Sequence, residues 1–298
     1  MENRNLDMLL TNVADIALRR RAKKIVEGLN MQKDDVVLDA GCGDGYYLHL
    51  LHSMNPRAIF VGSDFDLKAL KSAEQNFKGN RVLAKWLKPK RGEKIDPGKL
   101  KPGIIHLVLG DLMDELPFAS NSFNKVVLGE VAEHLPNDLK GLKEVCRVTK
   151  KGGTLVVTVP NHNYPLFWDP VNWVLEKTVK KHIKDGFFAG LWFNHLRLYE
   201  PREIERVIKK AGFAVEKLET MTYWCLPFNH HIINLGARML YGGKLPESAV
   251  QSVSKYKVQS KKPLYIDLFF KIVNTVDWFN DRFPHKTKGV GIFVKARK

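Results

Sequence analysis

Residues 36–51 read VVLDAGCGDGYYLHLL, and the rest of the architecture can be built outward from them. Val36 to Ala40 form a short apolar run that ends in glycines, which predicts a buried strand. Gly41, Gly43 and Gly45 then alternate before a helical pattern begins. Because glycine has no Cβ atom, the backbone can turn sharply here and approach a ligand closely. The stretch predicts a strand, a tight ligand-binding loop and a helix.

The loop differs from the dinucleotide-binding fingerprint, which also contains a G-x-G pair. It lacks the third glycine at the required spacing, and the acidic residue Asp39 stands just before it. A carboxylate at this place would repel a pyrophosphate but could accept a hydrogen bond from an ammonium group. The loop therefore favours a ligand that carries an amino group.

Strand and helix patterns alternate along the rest of the chain. This alternation predicts an α/β fold with a mostly parallel, doubly wound sheet. Further strands are predicted at 58–63, 104–109, 125–129, 154–159, 213–219 and 289–297, and helices at 8–29, 67–77, 138–149 and 201–211.

Three segments interrupt this alternation. Residues 85–102 are basic and rich in Pro and Gly, which predicts an exposed loop or hairpin. Residues 161–193, which we call the aromatic lid, interleave aromatic side chains with lysines, and residues 221–288 contain amphipathic helical patterns. The predicted organisation is a core at 1–220, a helical cap at 221–288 and a final core strand at 289–298.

The composition is that of a globular protein of 298 residues, with 44% hydrophobic and 27% charged residues. Three distant cysteines argue against a disulfide framework, and no apolar run resembles a signal peptide or a membrane span. We expect a cytoplasmic protein. A net charge of +16 favours an anionic partner, either RNA or an anionic membrane surface, but also fits a basic enzyme with neither.

Several motifs in order resemble those of the class I S-adenosylmethionine-dependent methyltransferases. After the glycine loop come VGSDFD (61–66), GDLMDELPFASNSFNKVVLGE (110–130) and VTKKGGTLVVTVPN (148–161), so the resemblance covers roughly residues 34–220. The small-molecule methyltransferases of this class are the most similar. The resemblance implies a Rossmann-like sheet of seven strands and S-adenosylmethionine as the cofactor.

The resemblance also implies roles for individual residues. Gly41 and Gly43 would pass beneath the methionine and ribose of the cofactor, and Asp64 would accept from the ribose hydroxyls. At the adenine, Phe65 would lie against the ring, Asp111 would accept from the exocyclic amine, and Leu112 would supply a backbone N–H. The remaining expected cofactor-binding residues are Asp39, Cys42 and Glu130.

The stretch VVLGEVAEHLP (126–136) ends a predicted strand in Glu130, Glu133 and His134. Spacings of three and four would place these side chains on one face of a helical turn, at the sheet edge where ligands bind. Three interpretations stay open. In the first, Glu130 backs the cofactor while Glu133 and His134 pack and cap. In the second, Glu133 or His134, together with His195, acts as a base or orients the substrate. In the third, Glu130, Glu133, His134 and His195 hold a divalent metal, as in the ubiquinone-pathway and small-RNA methyltransferases that the pattern resembles.

The segments around the core bear on the methyl acceptor. The aromatic lid fits either an anionic lipid surface or stacked bases beside phosphate-binding lysines, or it simply packs on the core. Strand four continues as LGEV, which differs from the motif of enzymes that methylate amino groups of bases. We expect a transferase that methylates a small or lipid-like hydroxyl acceptor. The alternatives are an RNA 2′-O-methyltransferase and a non-catalytic binding module.

Overall fold

The computed structural model describes residues 2–11, 13–225, 228, 255–256, 264–284 and 288–298. Eight strands form one sheet in the order β3-β4-β2-β1-β5-β6-β8-β7. Their bounds are β1 Val36–Ala40, β2 Ile59–Asp64, β3 Ala84–Trp86, β4 Ile105–Leu109, β5 Phe123–Gly129, β6 Thr149–Pro160, β7 Ala214–Met221 and β8 Gly291–Arg297.

The sheet is parallel except for β8, which pairs antiparallel with both β6 and β7. Parallel pairing of β1 with β2 and β5, of β2 with β4, and of β5 with β6 brings the carboxyl ends of these five strands to one edge. In open α/β sheets ligands bind at that edge, where the strand order reverses. Here the order reverses at β1, so the glycine loop lies at this position.

Helices cover both faces of the sheet, because alternate residues of each buried strand point to opposite sides. The helices are α1 Glu2–Leu10, α2 Ile16–Leu29, α3 Tyr46–Met54, α4 Leu67–Gly79, α5 Asp138–Val148, α6 Pro170–Thr178, α7 Pro201–Lys210 and α8 Leu264–Arg282. In β1, Leu38 packs in the core layer beneath α5 and α7, whereas Val37 packs in the layer beneath α2, α3 and α4. The predicted Rossmann-like α/β class is confirmed.

The amino-terminal helical region differs from the sequence prediction of one helix at 8–29. The structure breaks it into α1 and α2, and Asp15 caps the second helix by accepting from the N–H groups of Ala17 and Leu18. The carboxylate satisfies N–H groups that have no partner within the helix, so a new helix begins there.

The number of strands also differs from the expected seven. The additional strand is β3, three residues long, which pairs with β4 at the edge of the sheet. It was missed because its residues merge into the basic 85–102 segment, where short edge pairing leaves little periodicity.

The region after β7 is described only in part. Helix α8 falls within the predicted cap, and β8 lies where the final strand was predicted. The other helical pattern of the cap, INLGARMLYG at 233–242, lies outside the described residues. Within the described ranges, every helix is too short or too polar to cross a bilayer.

Candidate active site

The glycine loop is fixed by backbone and carboxylate hydrogen bonds at the sheet edge. The N–H groups of Gly41 and Cys42 both donate to the carbonyl of Ser63, at 2.7 and 3.0 Å. The N–H of Gly43 donates to Asp64 Oδ2 at 2.8 Å, and the N–H of Asp66 donates to Asp64 Oδ1 at 2.9 Å. Asp64 therefore organises the loop, and each of its oxygens retains a second lone pair for a ligand hydroxyl.

The loop glycines serve different purposes. A Cβ atom on Gly41 would lie 2.5 Å from a methyl carbon of Val131, and one on Gly45 would lie 2.4 Å from the Phe77 ring. A Cβ atom on Gly43 would meet nothing within 4 Å, although its φ of +53° also favours glycine. Gly41 and Gly45 are required by packing, whereas Gly43 borders open space.

Asp39 is a fully buried carboxyl group beside that loop. Neither of its oxygens has a hydrogen-bond partner among the described residues. Burial, together with the nearby charges of Asp64 and Asp44, raises the pKa of Asp39 from 3.8 to about 8. A buried, unsatisfied carboxylate is costly, so this site suits a ligand that brings a positively charged donor.

The other residues expected at the cofactor differ in exposure. The Phe65 side chain is 73% exposed just after β2, and the Asp111 side chain, also exposed, accepts from the N–H of Met113. The side chains of Cys42 and Leu112 are buried, and burial raises the pKa of the Cys42 thiol well above its ordinary value. A ligand would therefore meet Cys42 and Leu112 through their backbone.

Glu130 departs from the expected shared helical face. It has a φ of +57°, and only Ala132–His134 form a short 3₁₀ turn. Arg21, from α2, donates to Glu130 Oε2 at 2.5 Å in a largely buried ion pair. Because Glu130 is held by Arg21, the structure does not group it with the other residues of this stretch.

Glu133, His134 and His195 form a compact cluster that we call the acid–imidazole cluster. Both imidazole Nε2 atoms lie 3.9 Å from Glu133 Oε1, and the ring centroids are 4.8 Å apart. Glu133 is fully buried, and no other described residue donates to its carboxylate. Burial, followed by the charge of Glu130, raises the pKa of Glu133 well above its ordinary value.

The residues that follow the lid, 194–196, contribute both to the position and to the tautomer of this cluster. The N–H of Leu196 donates to the carbonyl of Glu133, and the carbonyl of Asn194 lies 2.9 Å from His134 Nδ1. Because a carbonyl only accepts, Nδ1 carries the proton and Nε2 presents a lone pair to the cluster. One ligand atom from each of the three residues lies within 4.8 Å of the others, so they can also hold a metal ion.

Comparisons with known proteins agree with this arrangement. Two family profiles, each described as a methyltransferase domain, match residues 38–157 and 99–219. The demethylmenaquinone methyltransferase of Geobacillus kaustophilus is 32% identical over 145 residues, which are 47% of this chain and 53% of that enzyme. The demethylmenaquinone methyltransferase of Staphylococcus carnosus is 25% identical over 209 residues, 67% of this chain and 76% of that enzyme.

The chain belongs to the class I S-adenosylmethionine-dependent methyltransferases. A solved structure of phosphoethanolamine N-methyltransferase 2 from Haemonchus contortus, in complex with S-adenosyl-L-methionine, has the same fold. Its TM-score is 0.52 at 15% identity, and the match covers 94% of this chain and 52% of that one. The chain spans only about half of the Geobacillus relative's length, at 53%.

The residues of this methyltransferase fit S-adenosylmethionine, the cofactor of the class. Asp39 offers an unsatisfied buried carboxylate for the cationic methionine amino group, and Gly43 borders the open space that a cofactor needs. Asp64 and the exposed Phe65 stand at the end of β2, where a ribose and a base would follow. The individual cofactor contacts remain predictions.

Sequence reasoning missed four residues that shape this methyltransferase site. Arg21 stands in a run of basic residues that does not indicate a buried partner, and the carbonyl of Asn194 left no signal because backbone atoms carry none. In the lid, Asp169 and Asn172 are both fully buried, and Asn172 donates to Asp169 Oδ2 at 3.0 Å. Their polar pair within an aromatic segment was the one available sign of an internal network.

Proposed function

We propose that this chain transfers a methyl group from S-adenosylmethionine to a hydroxyl group of a small or lipid-like acceptor. The acid–imidazole cluster carries the proposal. It joins a buried carboxyl group to two imidazoles just beyond β5, at the ligand-binding edge of the sheet. Hydroxyl groups lose a proton during methylation, so a positioned base at this edge suits an oxygen acceptor better than a purely structural cap.

S-adenosylmethionine supplies an activated methyl group when bound, so the protein residues need only bind, orient and deprotonate the acceptor. His134 holds its own proton on Nδ1, against the Asn194 carbonyl, and offers Nε2 as the base. An acceptor hydroxyl would give its proton to Nε2, and the positive charge that develops there would in turn favour the ionised form of Glu133, whose Oε1 lies 3.9 Å away. His195 Nε2 lies at the same distance from this carboxyl oxygen, next to the His134 ring, and would orient the hydroxyl.

The lipid-like class of acceptor rests on two supports. Both relatives reported above are named for demethylmenaquinone, a quinone-type substrate. The aromatic lid also supplies apolar surface at the sheet edge, including Phe187, Phe188 and Phe193, which are 36–51% exposed. An RNA acceptor would need a surface that recognises nucleotides, and neither relative reported above is named for RNA.

A second role for the cluster is a divalent metal site. Three potential ligand atoms within 4.8 Å of one another, with His134 oriented by a carbonyl, favour it. A metal there would lower the pKa of the acceptor hydroxyl directly. Glu130, the fourth expected ligand, is engaged by Arg21, so any site built here would have three protein ligands among the described residues.

The test is methyl transfer from radiolabelled S-adenosylmethionine into cell extract, followed by separation of lipid, RNA and small-molecule fractions. We expect label in the organic-soluble or small-molecule fraction. His134→Gln should lower the rate of transfer by about 10²–10⁴-fold without weakening cofactor binding. His52→Gln is the matched control, because His52 lies in α3 against the Gly103 carbonyl and outside the cluster.

Two outcomes would change the assignment. Label confined to RNA, or full activity of His134→Gln, would contradict the proposal. Loss of activity in chelator, with recovery on adding Mg²⁺ or Mn²⁺, would mean that the cluster binds a metal ion and does not act as an acid–base group. Activity that is unchanged in chelator would leave the imidazole base as the working group.

A further inference from the structure

A cavity of about 620 Å³ lies within the aromatic lid, next to the residues that follow β6. It is lined on one side by residues 162–166, which follow that strand, and on the other by α6 and the end of the lid. Its lining combines aromatic rings with basic groups: Trp173, Trp192, His162, Lys177, Lys180 and Lys288. This chemistry differs from that of the acid–imidazole cluster and has no role in the proton transfer described above.

The cavity has an excess of positive charge. The ammonium group of Lys177 lies 6.0 Å from the centre of the Trp173 ring, and that of Lys184, outside the lining, lies 5.5 Å from the centre of the Trp192 ring. In the described part of the chain, no carboxylate lies within 4.0 Å of the ammonium groups of Lys177 or Lys180. These cations are available to a ligand, since both side chains are exposed and are not engaged in internal ion pairs.

Glu176 is the acidic group in the lining, and its carboxylate is already satisfied. It accepts from Trp192 Nε1 at 2.5 Å and from the Tyr164 hydroxyl at 3.0 Å, and His182 Nδ1 lies 3.8 Å away. The His182 ring stacks on Trp192 at 3.6 Å, with the planes 3° apart. Glu176 therefore orients the aromatic wall of the cavity, which is formed by Tyr164, His182 and Trp192. Its negative charge faces these side chains and not the cavity.

The wall is held in place by a buried polar network. Asp169 Oδ2 accepts from the N–H of Leu191 at 2.9 Å, and the Asn172 side chain donates to the carbonyl of Ala189 at 3.0 Å and accepts from the N–H of Ile183 at 2.6 Å. These bonds tie α6 to residues 183–191. Because the network is internal to the lid, the cavity is preformed and pays little ordering cost on binding.

A short stretch of chain joins the wall of the cavity to the acid–imidazole cluster. The N–H of His195 donates to the carbonyl of Trp192, so one turn joins the cavity wall to the imidazole that lies 3.9 Å from Glu133. The backbone of Trp192, whose side chain lines the cavity, is therefore linked by a single turn to one of the residues assigned to the acceptor hydroxyl.

We propose that this cavity binds an acidic group of the methyl acceptor, a phosphate or a carboxylate, next to a planar or apolar portion that lies against Trp173 and Trp192. Lys177 and Lys180 supply the positive charge, and the tryptophans supply the flat apolar surface. The inference rests on the proposed function and narrows its acceptor class to an amphiphilic acid.

Binding of three probes to the full chain tests the cavity directly. Phenyl phosphate and benzoate carry the two acidic groups on an aromatic ring, and phenol lacks the charge. We expect one or both acids to bind more tightly than phenol, with quenching of tryptophan fluorescence, and to bind about tenfold more weakly to the double variant Lys177→Gln, Lys180→Gln. The matched control is Lys151→Gln with Lys181→Gln, which removes the same charge from lysines outside the lining.

The results separate the two acids and can overturn the inference. Preference for phenyl phosphate assigns a phosphate, and preference for benzoate assigns a carboxylate. Equal binding of all three probes, or equal loss in both double variants, would overturn it. Raising the salt concentration should weaken the acids and leave phenol unchanged, because screening acts on charge alone.

The labelled product from the transfer experiment provides an independent test. An acidic acceptor gives a methylated product that an anion-exchange column retains at neutral pH. A transferred label that is not retained would overturn the acidic acceptor while leaving methyl transfer in place. Absence of any transfer would instead count against the proposed function, and the probe experiment would still decide whether the cavity binds acids.

Discussion

At the scale of single residues, Asp39 links fold stability to cofactor binding. Its carboxyl group is buried beside Asp64 and Asp44, and its pKa is raised to about 8. Without a cofactor, the folded protein therefore keeps a proton that the unfolded chain releases. Between about pH 4 and pH 8 the unfolded chain has lost this proton, whereas the folded protein still binds it. The free energy of unfolding therefore decreases as the pH rises through this range.

The variant Asp39→Asn tests this linkage, because the amide has the same size but stays uncharged. At about pH 8 and without cofactor, we expect the variant to melt higher by about 5 °C, and we expect a smaller difference at about pH 5. S-adenosylmethionine should raise the melting temperature of the unmodified protein but not that of the variant. Equal cofactor stabilisation of both proteins would contradict the role of Asp39 in binding the amino group.

At the scale of an element, the aromatic lid depends on one glycine. Gly190 has a φ of +53°, and a Cβ atom there would lie 1.8 Å from Asp169 Oδ2. Asp169 is the residue that holds the N–H of Leu191 and the side chain of Asn172. The lid therefore keeps its shape because Gly190 lets a buried carboxylate approach the backbone closely.

We expect Gly190→Ala to displace Asp169 and loosen the lid, without affecting the sheet. Amide hydrogen exchange across residues 183–191 should speed up by about tenfold or more, whereas exchange in β1 and β5 should not change. Gly186→Ala is the matched control. Gly186 also has a positive φ, +79°, but a Cβ atom there meets nothing within 4 Å. Equal acceleration in both variants would mean that backbone strain, and not the Asp169 contact, controls the lid.

At the scale of the whole molecule, positive charge combines with exposed apolar surface. The net charge is +16. On α8, Ile266, Phe270 and Val273 are buried, whereas Leu264, Leu268 and Ile272 are exposed at intervals of four residues, by 83%, 58% and 47%. A helix with one packed and one exposed apolar face, on a basic protein, is typical of peripheral contact with a membrane.

We expect the protein to sediment with vesicles that contain anionic lipid and not with purely zwitterionic ones, and to be released by salt. Leu268→Glu should reduce this binding several-fold, because it places a charge on the exposed face. Gln75→Glu is the matched control, because it adds the same single negative charge at an exposed position on α4, away from α8. Binding to RNA without binding to vesicles would favour the RNA interpretation of the charge.

Much of this architecture was predictable from local patterns. Residues 36–51 indicated a strand, a glycine loop and a helix, and β1 and α3 confirm the strand and the helix. The alternation of later segments indicated a mostly parallel, doubly wound sheet, which the strand order confirms. Such features follow from hydrophobic period and from glycine spacing, which are properties of neighbouring residues. The grouping of Glu133 with His134 was also a local prediction, because the two are adjacent in the chain.

The partners of these residues depended on how distant segments pack. Arg21, in a helix more than a hundred positions earlier, pairs with Glu130 and takes it out of the predicted cluster. The segment just after the lid brings His195 to Glu133 and sets the tautomer of His134 through the Asn194 carbonyl. Neither the docking of α2 on the sheet nor the path of a backbone carbonyl leaves a periodic signal. Side-chain types and their spacing therefore predicted which residues are chemically reactive or bind ligands. The packing of helices and loops against the sheet decided which of these residues are in contact, because contacts between distant segments form only when the core closes.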